Sequence, residues 1–354
     1  MSELPEPTAA PDTAQPPSRP QTAHAVTLVI GGGGAAGNAW AVGVIAGLAA
    51  GGIDLTRLAD LVIGTSAGAT AAALVRSGKT PAELYASILR EADGSVGRAG
   101  TGRPAGSGAP PAASSPQHRP GAPSAPSTST APGSQMSAVF ERMRAISAAA
   151  TSPLDLQRAM GAYGLESDAA FASGSAAEHR RAIVASRLPH PEWPERPMIA
   201  VAVDAHTGEA VLLDRDSGVD LVDAVVASTS LPGAGPTLRA NGTNYVSGGV
   251  RSPDNADLAA GATNVVVISP LGGRTGPLPE GQFEGLQRPS EWGFDLVGQV
   301  AALREQGTHV EVFTPDDESR DAMGINQMDP ATRIPSARAG FAQAERMAKH
   351  VRLV

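Results

Sequence analysis

The apolar positions near the start of the chain form two repeats of a short run followed by a longer helical pattern. Ala25–Ile30 is a β-branched run typical of a buried parallel strand, and Asn38–Ala50 then carries apolar side chains at helical spacing. Leu58–Ile63 and Ala69–Arg76 repeat this order. Because strand and helix alternate at short spacing, the pattern predicts an α/β fold with a mainly parallel central sheet flanked by helices.

The stretch that follows is helical in pattern, so we expect a helical cap from about 81 to 190. Its predicted helices are 81–93, Met136–Ala150, Leu154–Tyr163 and Ala176–Leu188. Downstream, the predicted strands are Met198–Asp204, Glu209–Asp214, Asn244–Val246, Asn264–Ser269 and Thr308–Thr314. The predicted helices there are Leu221–Ser228, Gly293–Gln306 and Gly340–Arg352.

Two stretches of low complexity interrupt these patterns. The chain has 41 glycines and 30 prolines among 354 residues, and much of this excess lies in residues 1–23 and 94–135. Neither stretch can bury enough apolar area to offset the entropy of ordering its backbone. We therefore predict a disordered Pro-rich tail at 1–23 and one α/β domain at 24–354, interrupted by a disordered insert at about 94–135.

Composition and charge exclude several classes of function. The chain has no cysteine, which excludes disulfide scaffolds, thiol nucleophiles and thiolate metal sites, and we expect no metal or cofactor. The formal net charge of -8 argues against nucleic acid as a partner. Nothing in the sequence indicates an oligomeric state.

One uncharged segment, Ala25–Ile53, requires a test for a membrane span. Its many glycines, together with Thr27 and Asn38, argue against a spanning helix. The first residues include Glu3, Glu6 and several prolines instead of a cationic and apolar signal peptide. We therefore expect a cytoplasmic protein with at most peripheral membrane contact.

The segment Gly64-Thr-Ser-Ala-Gly68 has the pattern of a nucleophile elbow. In this motif a serine lies on a sharp turn between a strand and a helix, and flanking glycines avoid clashes with the neighbouring chain. Ser66 stands at the predicted end of a strand and before a helix. The alternative is a sharp glycine-rich turn with an incidental serine.

The glycine-rich segment Gly31–Gly37 fits two functions. Gly32, Gly34 and Gly37 match the G-x-G-x-x-G fingerprint of dinucleotide-binding folds. This match would imply a nucleotide-binding oxidoreductase. That fingerprint requires an acid at the end of the second strand. Asp54 precedes the predicted strand and Asp60 lies inside it.

The second function is an oxyanion hole. Gly32, Gly33 and Gly34 would expose backbone N–H groups toward the negative charge that develops when Ser66 attacks a carbonyl. This interpretation is favoured because it also explains the serine elbow on the next βα unit.

A serine nucleophile needs a base, and the histidines offer none in a suitable place. None of the seven histidines follows a predicted strand in the way that an α/β-hydrolase requires, and His309 begins one. The remaining solution is a Ser–Asp dyad, in which a carboxylate contacts the serine hydroxyl directly.

The motifs of this chain resemble those of the patatin-like phospholipase family. The resemblance rests on Gly32-Gly-Gly-Ala-Ala-Gly37, Gly64-Thr-Ser-Ala-Gly68 and Ser247-Gly-Gly249, which occur in the order of the family's motifs. Ala227–Gly233 is similar to the turn that precedes the last motif, and the resemblance covers roughly residues 25–270.

The resemblance implies a role for each motif residue. Ser66 would be the nucleophile, the amides around Gly32, Gly33 and Gly34 would form the oxyanion hole, and position 247 would hold the base. The other motif glycines are Gly37, Gly64, Gly68, Gly248 and Gly249. The implied substrate is a lipid acyl ester.

Two residues depart from the family pattern. The last motif begins with Ser247 where the family has Asp, and a serine hydroxyl cannot accept a proton at neutral pH as a carboxylate can. Ala36 stands where many members carry a basic residue. Asp204, Asp254 and Asp257 are the candidate substitute carboxylates. Three outcomes stay open: a weak hydrolase, a hydrolase with a relocated base, or an inactive relative that binds lipid or protein.

Overall fold

The computed structural model describes residues 24–91, 132–172, 174–274 and 288–353. The predicted tail at 1–23 and all but the last residues of the predicted insert at 94–135 lie outside these ranges. The described residues build a mostly parallel sheet between layers of helices, which confirms the predicted α/β fold.

The sheet of the described residues has eight strands. They are β1 (Val26–Ile30), β2 (Leu61–Thr65), β3 (Met198–Asp204), β4 (Ala210–Leu213), β5 (Leu238–Ala240), β6 (Thr243–Ser247), β7 (Asn264–Ile268) and β8 (His309–Phe313). Their order is β5-β6-β3-β2-β1-β7-β8, with β4 also paired to β3. Strands β1, β2, β3, β7 and β8 are parallel, whereas β4 and β6 run antiparallel to β3, and β5 antiparallel to β6.

The central strands are continuously apolar because helices cover both faces of the sheet. In β1, Val29 pairs with Ile63 of β2 on one side and with Val267 of β7 on the other. Successive side chains alternate between faces, so Leu28 and Ile30 enter one hydrophobic cluster and Val29 enters the opposite one.

Eleven helices flank the sheet in the described ranges. They are α1 (Gly34–Ala50), α2 (Leu55–Leu58), α3 (Ala67–Val75), α4 (Pro81–Leu89), α5 (Pro132–Ala149), α6 (Pro153–Ser167), α7 (Ser175–Arg187), α8 (Leu221–Thr229), α9 (Leu296–Glu305), α10 (Asp317–Met323) and α11 (Arg333–Met347). Helices α1, α3, α4, α8 and α11 cover one face, and α9 covers the other. The predicted cap region contains α4 to α7, of which α5 and α6 share a third cluster with Val203 and Val246.

Several element boundaries differ from the predicted ones. Helix α1 begins at Gly34, a full turn before Asn38, so the glycine-rich segment supplies its first residues. The second strand begins later than predicted, because residues 55–58 form α2, which the side chain of Asp54 caps through the amide of Thr56. Helix α11 begins at Arg333 and not at Gly340, and β5 and α10 were not predicted.

Helix α1 is uncharged because it is buried between the sheet and α11. Its Gly43 and Gly47 lie so close to α11 that an added Cβ would stand 2.1 Å from the carbonyl oxygen of Ala337 and 2.3 Å from that of Phe341. Small residues thus let the two helices approach closely. None of the helices in the described part of the chain is both long and apolar enough to cross a bilayer.

Candidate active site

Ser66 lies on a strained turn between β2 and α3. Its backbone has φ 54° and ψ -122°, in a region that residues with a side chain rarely adopt. A Cβ on Gly68 would stand 2.0 Å from the carbonyl oxygen of Ile30, and one on Gly64 would stand 2.5 Å from the Cα of Ala69. The flanking glycines are therefore required by close packing, as in a nucleophile elbow.

The elbow is held by a second serine that the sequence analysis did not single out. The amide of Ser66 donates to the Oγ of Ser228 at 2.9 Å, and Ser228 is fully buried near the end of α8. The signal was present, because Ser228 lies inside the Ala227–Gly233 segment that resembles the family's turn. The contact itself spans 162 residues of sequence and could not be read from it.

The glycine-rich loop lies beside the nucleophile. A Cβ on Gly32 would stand 3.4 Å from the Cβ of Ser66. The amide of Gly32 donates to the carbonyl oxygen of Pro253 at 2.9 Å and is therefore engaged. Within the described residues, the amides of Gly33 and Gly34 have no acceptor, and they stand at the positive end of the α1 dipole.

Two further segments support this loop. Gly34 has φ 64°, and an added Cβ would stand 2.7 Å from the carbonyl oxygen of Gln327, which accepts the amide of Ala36 at 3.0 Å. A Cβ on Gly37 would stand 2.9 Å from Pro270, which follows β7. Neither Gln327 nor Pro270 carried a sequence signal, because both reach the loop from distant parts of the chain.

Ser247 ends β6 and is buried. Its Oγ accepts the amide of Gly249 at 3.2 Å, and its own amide donates to the carbonyl oxygen of Ser230 at 2.8 Å. A Cβ on Gly248 would stand 2.4 Å from the carbonyl oxygen of Val201, so this turn packs tightly against β3. Ser247 therefore acts as a cap of the turn in this structure.

The turn after Ser247 is tied to the nucleophile strand by buried polar groups. Asn255 donates through Nδ2 to the Oγ1 of Thr65 and to the carbonyl oxygen of Gly248, both at 3.1 Å. Arg288 donates to the carbonyl oxygens of Gly249 and Val250, and burial lowers the pKa of its guanidinium to about 9. Sequence reasoning missed both residues, since neither belongs to a motif that it examined.

Two of the three candidate carboxylates have other partners. Asp204 accepts the amides of His206 and Thr207 within its own turn. Asp257 forms an ion pair with Arg251 and also accepts from Gln299. These contacts give both residues a structural role.

Asp254 is different, because it is fully buried beneath the glycine-rich loop. A Cβ on Gly31 would stand 2.3 Å from its Oδ1, which has no hydrogen-bond partner in the described residues. Burial raises the pKa of the Asp254 carboxyl to about 6, and the neighbouring Ser269 hydroxyl partly opposes the rise. Within the described part of the chain, the Oγ of Ser66 makes no hydrogen bond, to this carboxylate or to any other.

The acids required for dinucleotide binding have other roles. Asp54 caps α2, and Asp60 accepts the amide of Val26 through Oδ2. Among the described residues, no group of three or more metal-ligating side chains is close enough to hold a metal ion. A depression of about 250 Å³ near Arg76, Trp193 and Leu221 lies at the far end of α3 from Ser66.

Comparison with known proteins identifies a family for this chain. A family model described as Patatin-like phospholipase matches residues 28–260, which include the glycine-rich loop, the serine elbow and the Ser247 turn. No curated protein matches the chain.

Proposed function

Because the chain belongs to the patatin-like phospholipase family, we propose that it is a serine acyl hydrolase that cleaves lipid acyl esters through Ser66. The observation that carries this proposal is the strained backbone of Ser66 beside the glycine-rich loop. A strained, glycine-flanked serine at a helix N-terminus serves no evident packing purpose. It does present a hydroxyl at the end of the sheet.

In the proposed reaction, the Oγ of Ser66 attacks the ester carbonyl. The amides of Gly33 and Gly34 stabilise the oxyanion. The amide of Gly32 instead positions the loop, because it donates to the carbonyl oxygen of Pro253. The bond to the alcohol breaks, and the alcohol leaves with the proton that Ser66 loses. Water then hydrolyses the acyl-serine and restores the hydroxyl.

The base position decides how fast this reaction runs. With Ser247 in place of a carboxylate, the proton of Ser66 has no strong acceptor at that position. Loss of a general base typically costs about 10²- to 10⁴-fold in rate. We therefore expect slow hydrolysis by the natural chain.

A second candidate function rests on Ser247. A family member that has lost its base would retain the fold and the loop and would serve as a lipid- or protein-binding module. Ser247 favours this alternative, because its Oγ already caps the turn through Gly249.

Hydrolysis of a short-chain nitrophenyl ester by the natural chain and three variants separates the two functions. We expect Ser66→Ala to abolish the activity of the natural chain, and Ser247→Asp to raise kcat by roughly 10²-fold, since it restores a carboxylate. The double variant Ser66→Ala/Ser247→Asp is the matched control and should be inactive. Activity that survives Ser66→Ala would exclude the mechanism. An inactive natural chain and an inactive Ser247→Asp variant would favour the binding module.

A further inference from the structure

The segment between α10 and α11 contacts the start of α1 at the glycine-rich loop. The carbonyl oxygen of Gln327 accepts the amide of Ala36 at 3.0 Å. A Cβ added at Gly34 would stand 2.9 Å from the Sδ of Met328, so the thioether lies directly against this glycine. In the described residues the amide of Gly34 has no acceptor. Met328 therefore lies next to a group that would bind the oxyanion.

Met328 is also within reach of an ester bound at Ser66. A Cβ on Gly32 would stand 3.4 Å from the Cβ of Ser66, and Gly34 follows two residues later. Two residues span at most about 7 Å even when fully extended. An ester whose carbonyl lies between Ser66 and the amide of Gly34 thus places the carbon atoms beside that carbonyl close to Met328.

The pattern of burial in this segment is the reverse of the ordinary one. Ile325 is 69% exposed and Met328 is 45% exposed, whereas Gln327 is only 1% exposed. Neither polar atom of the Gln327 side chain has a hydrogen-bond partner in the described residues. Solvation alone would favour the amide outside and the thioether inside. The segment thus presents apolar side chains to solvent at a cost, and it does so beside the glycine-rich loop.

Backbone hydrogen bonds hold Met328 in this position. The Oδ1 of Asn326 accepts the amide of Met328 at 3.2 Å, and the carbonyl oxygen of Asn326 accepts the amide of Asp329 at 3.1 Å. Together with the contact between Gln327 and Ala36, these bonds fix the chain on both sides of Met328. Because none of them uses the Met328 side chain, that side chain can be changed while the segment keeps its place.

We propose that Met328 is a specificity-determining residue that contacts the acyl chain of the ester while Ser66 attacks its carbonyl carbon. This inference rests on the proposed function. A thioether is apolar and adapts to the shape of its partner. The acyl chain is the apolar part of a lipid acyl ester, whereas the alcohol part of a glycerolipid is polar. Longer acyl chains are preferred, because each methylene group placed against Met328 leaves water.

The test compares nitrophenyl acetate with nitrophenyl octanoate, each below the concentration at which it aggregates. We expect Met328→Gln to lower kcat/KM for the octanoate about tenfold, which corresponds to lost contact with roughly two methylene groups. The same variant should leave kcat/KM for the acetate unchanged. Met328→Leu, which keeps an apolar side chain, should retain the preference for the octanoate. Thermal unfolding checks that both variants fold.

Met347→Gln is the matched control. Met347 is also an exposed methionine, 37% exposed at the end of α11. Its neighbour Ala348 packs against Gly51, which lies about 25 Å along α1 from Gly34. The control variant should therefore change kcat/KM for neither ester.

Two results would overturn the inference. The first is an equal loss for acetate and octanoate in Met328→Gln, or the same loss in Met347→Gln. The second comes from octyl acetate, which carries its long chain on the alcohol side and whose hydrolysis is followed by titration of the released acid. If Met328→Gln slows hydrolysis of octyl acetate and spares nitrophenyl octanoate, Met328 contacts the alcohol and not the acyl chain.

Binding keeps the inference separate from the proposed function. Calorimetry with octanoate, the acid product, needs no turnover, and Ser66→Ala should bind it as the natural chain does. If no ester is hydrolysed but Met328→Gln alone weakens octanoate binding, the chain contact stands and the hydrolase falls. If esters are hydrolysed and the preference for octanoate is the same without Met328, the hydrolase stands and the chain contact falls.

Discussion

Ser66 holds a strained backbone conformation, with φ 54° and ψ -122°. A non-glycine residue in such a conformation costs of the order of 1–3 kcal/mol, and surrounding contacts must hold it there. Ser228 supplies one of these contacts by accepting the amide of Ser66, and the tight packing of Gly68 against Ile30 supplies another. The strain is thus imposed by tertiary contacts, although the glycine pattern around Ser66 made it predictable.

Asp254 makes the folded state sensitive to pH. Its pKa rises from 3.8 in the unfolded chain to about 6 in the fold, so the folded state holds the proton more tightly. Stability therefore falls as the pH rises from about 4 to about 6, and stays low above that range. The rise of about two units corresponds to roughly 3 kcal/mol of unfolding free energy.

We predict that Asp254→Asn removes this loss of unfolding free energy at high pH. The variant should match the natural chain near pH 4 and exceed its unfolding free energy at pH 8, because asparagine carries no charge to bury. Urea unfolding at several pH values measures the difference. The control is Asp216→Asn, an exposed residue whose replacement should leave the pH dependence unchanged. An equal pH slope in Asp254→Asn and the natural chain would contradict the prediction.

At the scale of elements, the pairing of α1 with α11 determines where the glycine-rich loop stands. Along one side of α1, a Cβ added at Gly43, Gly47 or Gly51 would stand within 4 Å of residues in or next to α11. Because these positions are four residues apart, they share one face of the helix. Close packing along this face holds the first turn of α1, which directly follows the segment that places Gly32 beside Ser66.

Gly43→Ala tests this packing. The added Cβ would overlap the carbonyl oxygen of Ala337, so the helices must separate, and we expect a loss of about 1–3 kcal/mol of unfolding free energy. Thermal or urea unfolding measures it. Ala50→Ser, at the exposed end of α1, is the control and should change stability by less than about 0.5 kcal/mol. Equal stability of Gly43→Ala and the natural chain would contradict the packing argument.

Element types were predictable where the apolar pattern was long or continuous. The strands β1, β3 and β7 and the helices α6 and α8 agree with their predicted positions to within a few residues. The three-residue strand β5 was missed because its partly exposed residues carry no apolar pattern. The start of α11 was missed because its first turn includes Pro335, which is compatible with a helix only in its first turn.

At the scale of the whole molecule, the low-complexity insert is predicted to contribute nothing to folding or hydrolysis. Replacement of residues 94–131 by a short Gly-Ser linker should leave the unfolding midpoint and ester hydrolysis largely unchanged, since such a composition buries little apolar area. Circular dichroism and the nitrophenyl ester assay measure both. A linker of the same length and shuffled sequence is the control for chain length. Unfolding of the shortened chain, with the shuffled chain intact, would contradict the prediction.

The candidate site assembles because parallel strands end at one edge of the sheet. Ser66 follows β2, the glycine-rich loop follows β1 and Pro270 follows β7, so segments more than 200 residues apart in sequence meet. The role of each motif residue stays a prediction, and the assays above test it.

The sequence by itself determined the two βα units, the mainly parallel sheet and the family, because these depend on apolar periodicity and on glycines at short spacing. It also predicted that position 247, which holds a serine here, is the position of the family's base. Only the tertiary structure decided which groups support the motifs. The fold joins residues that lie far apart in the chain. Ser228 accepts the amide of Ser66, and the carbonyl oxygen of Pro253 accepts that of Gly32. In the same way Asp254 packs against Gly31, and Arg333 donates to Asn38. Periodicity records which face of an element is buried, but not which distant residue packs there.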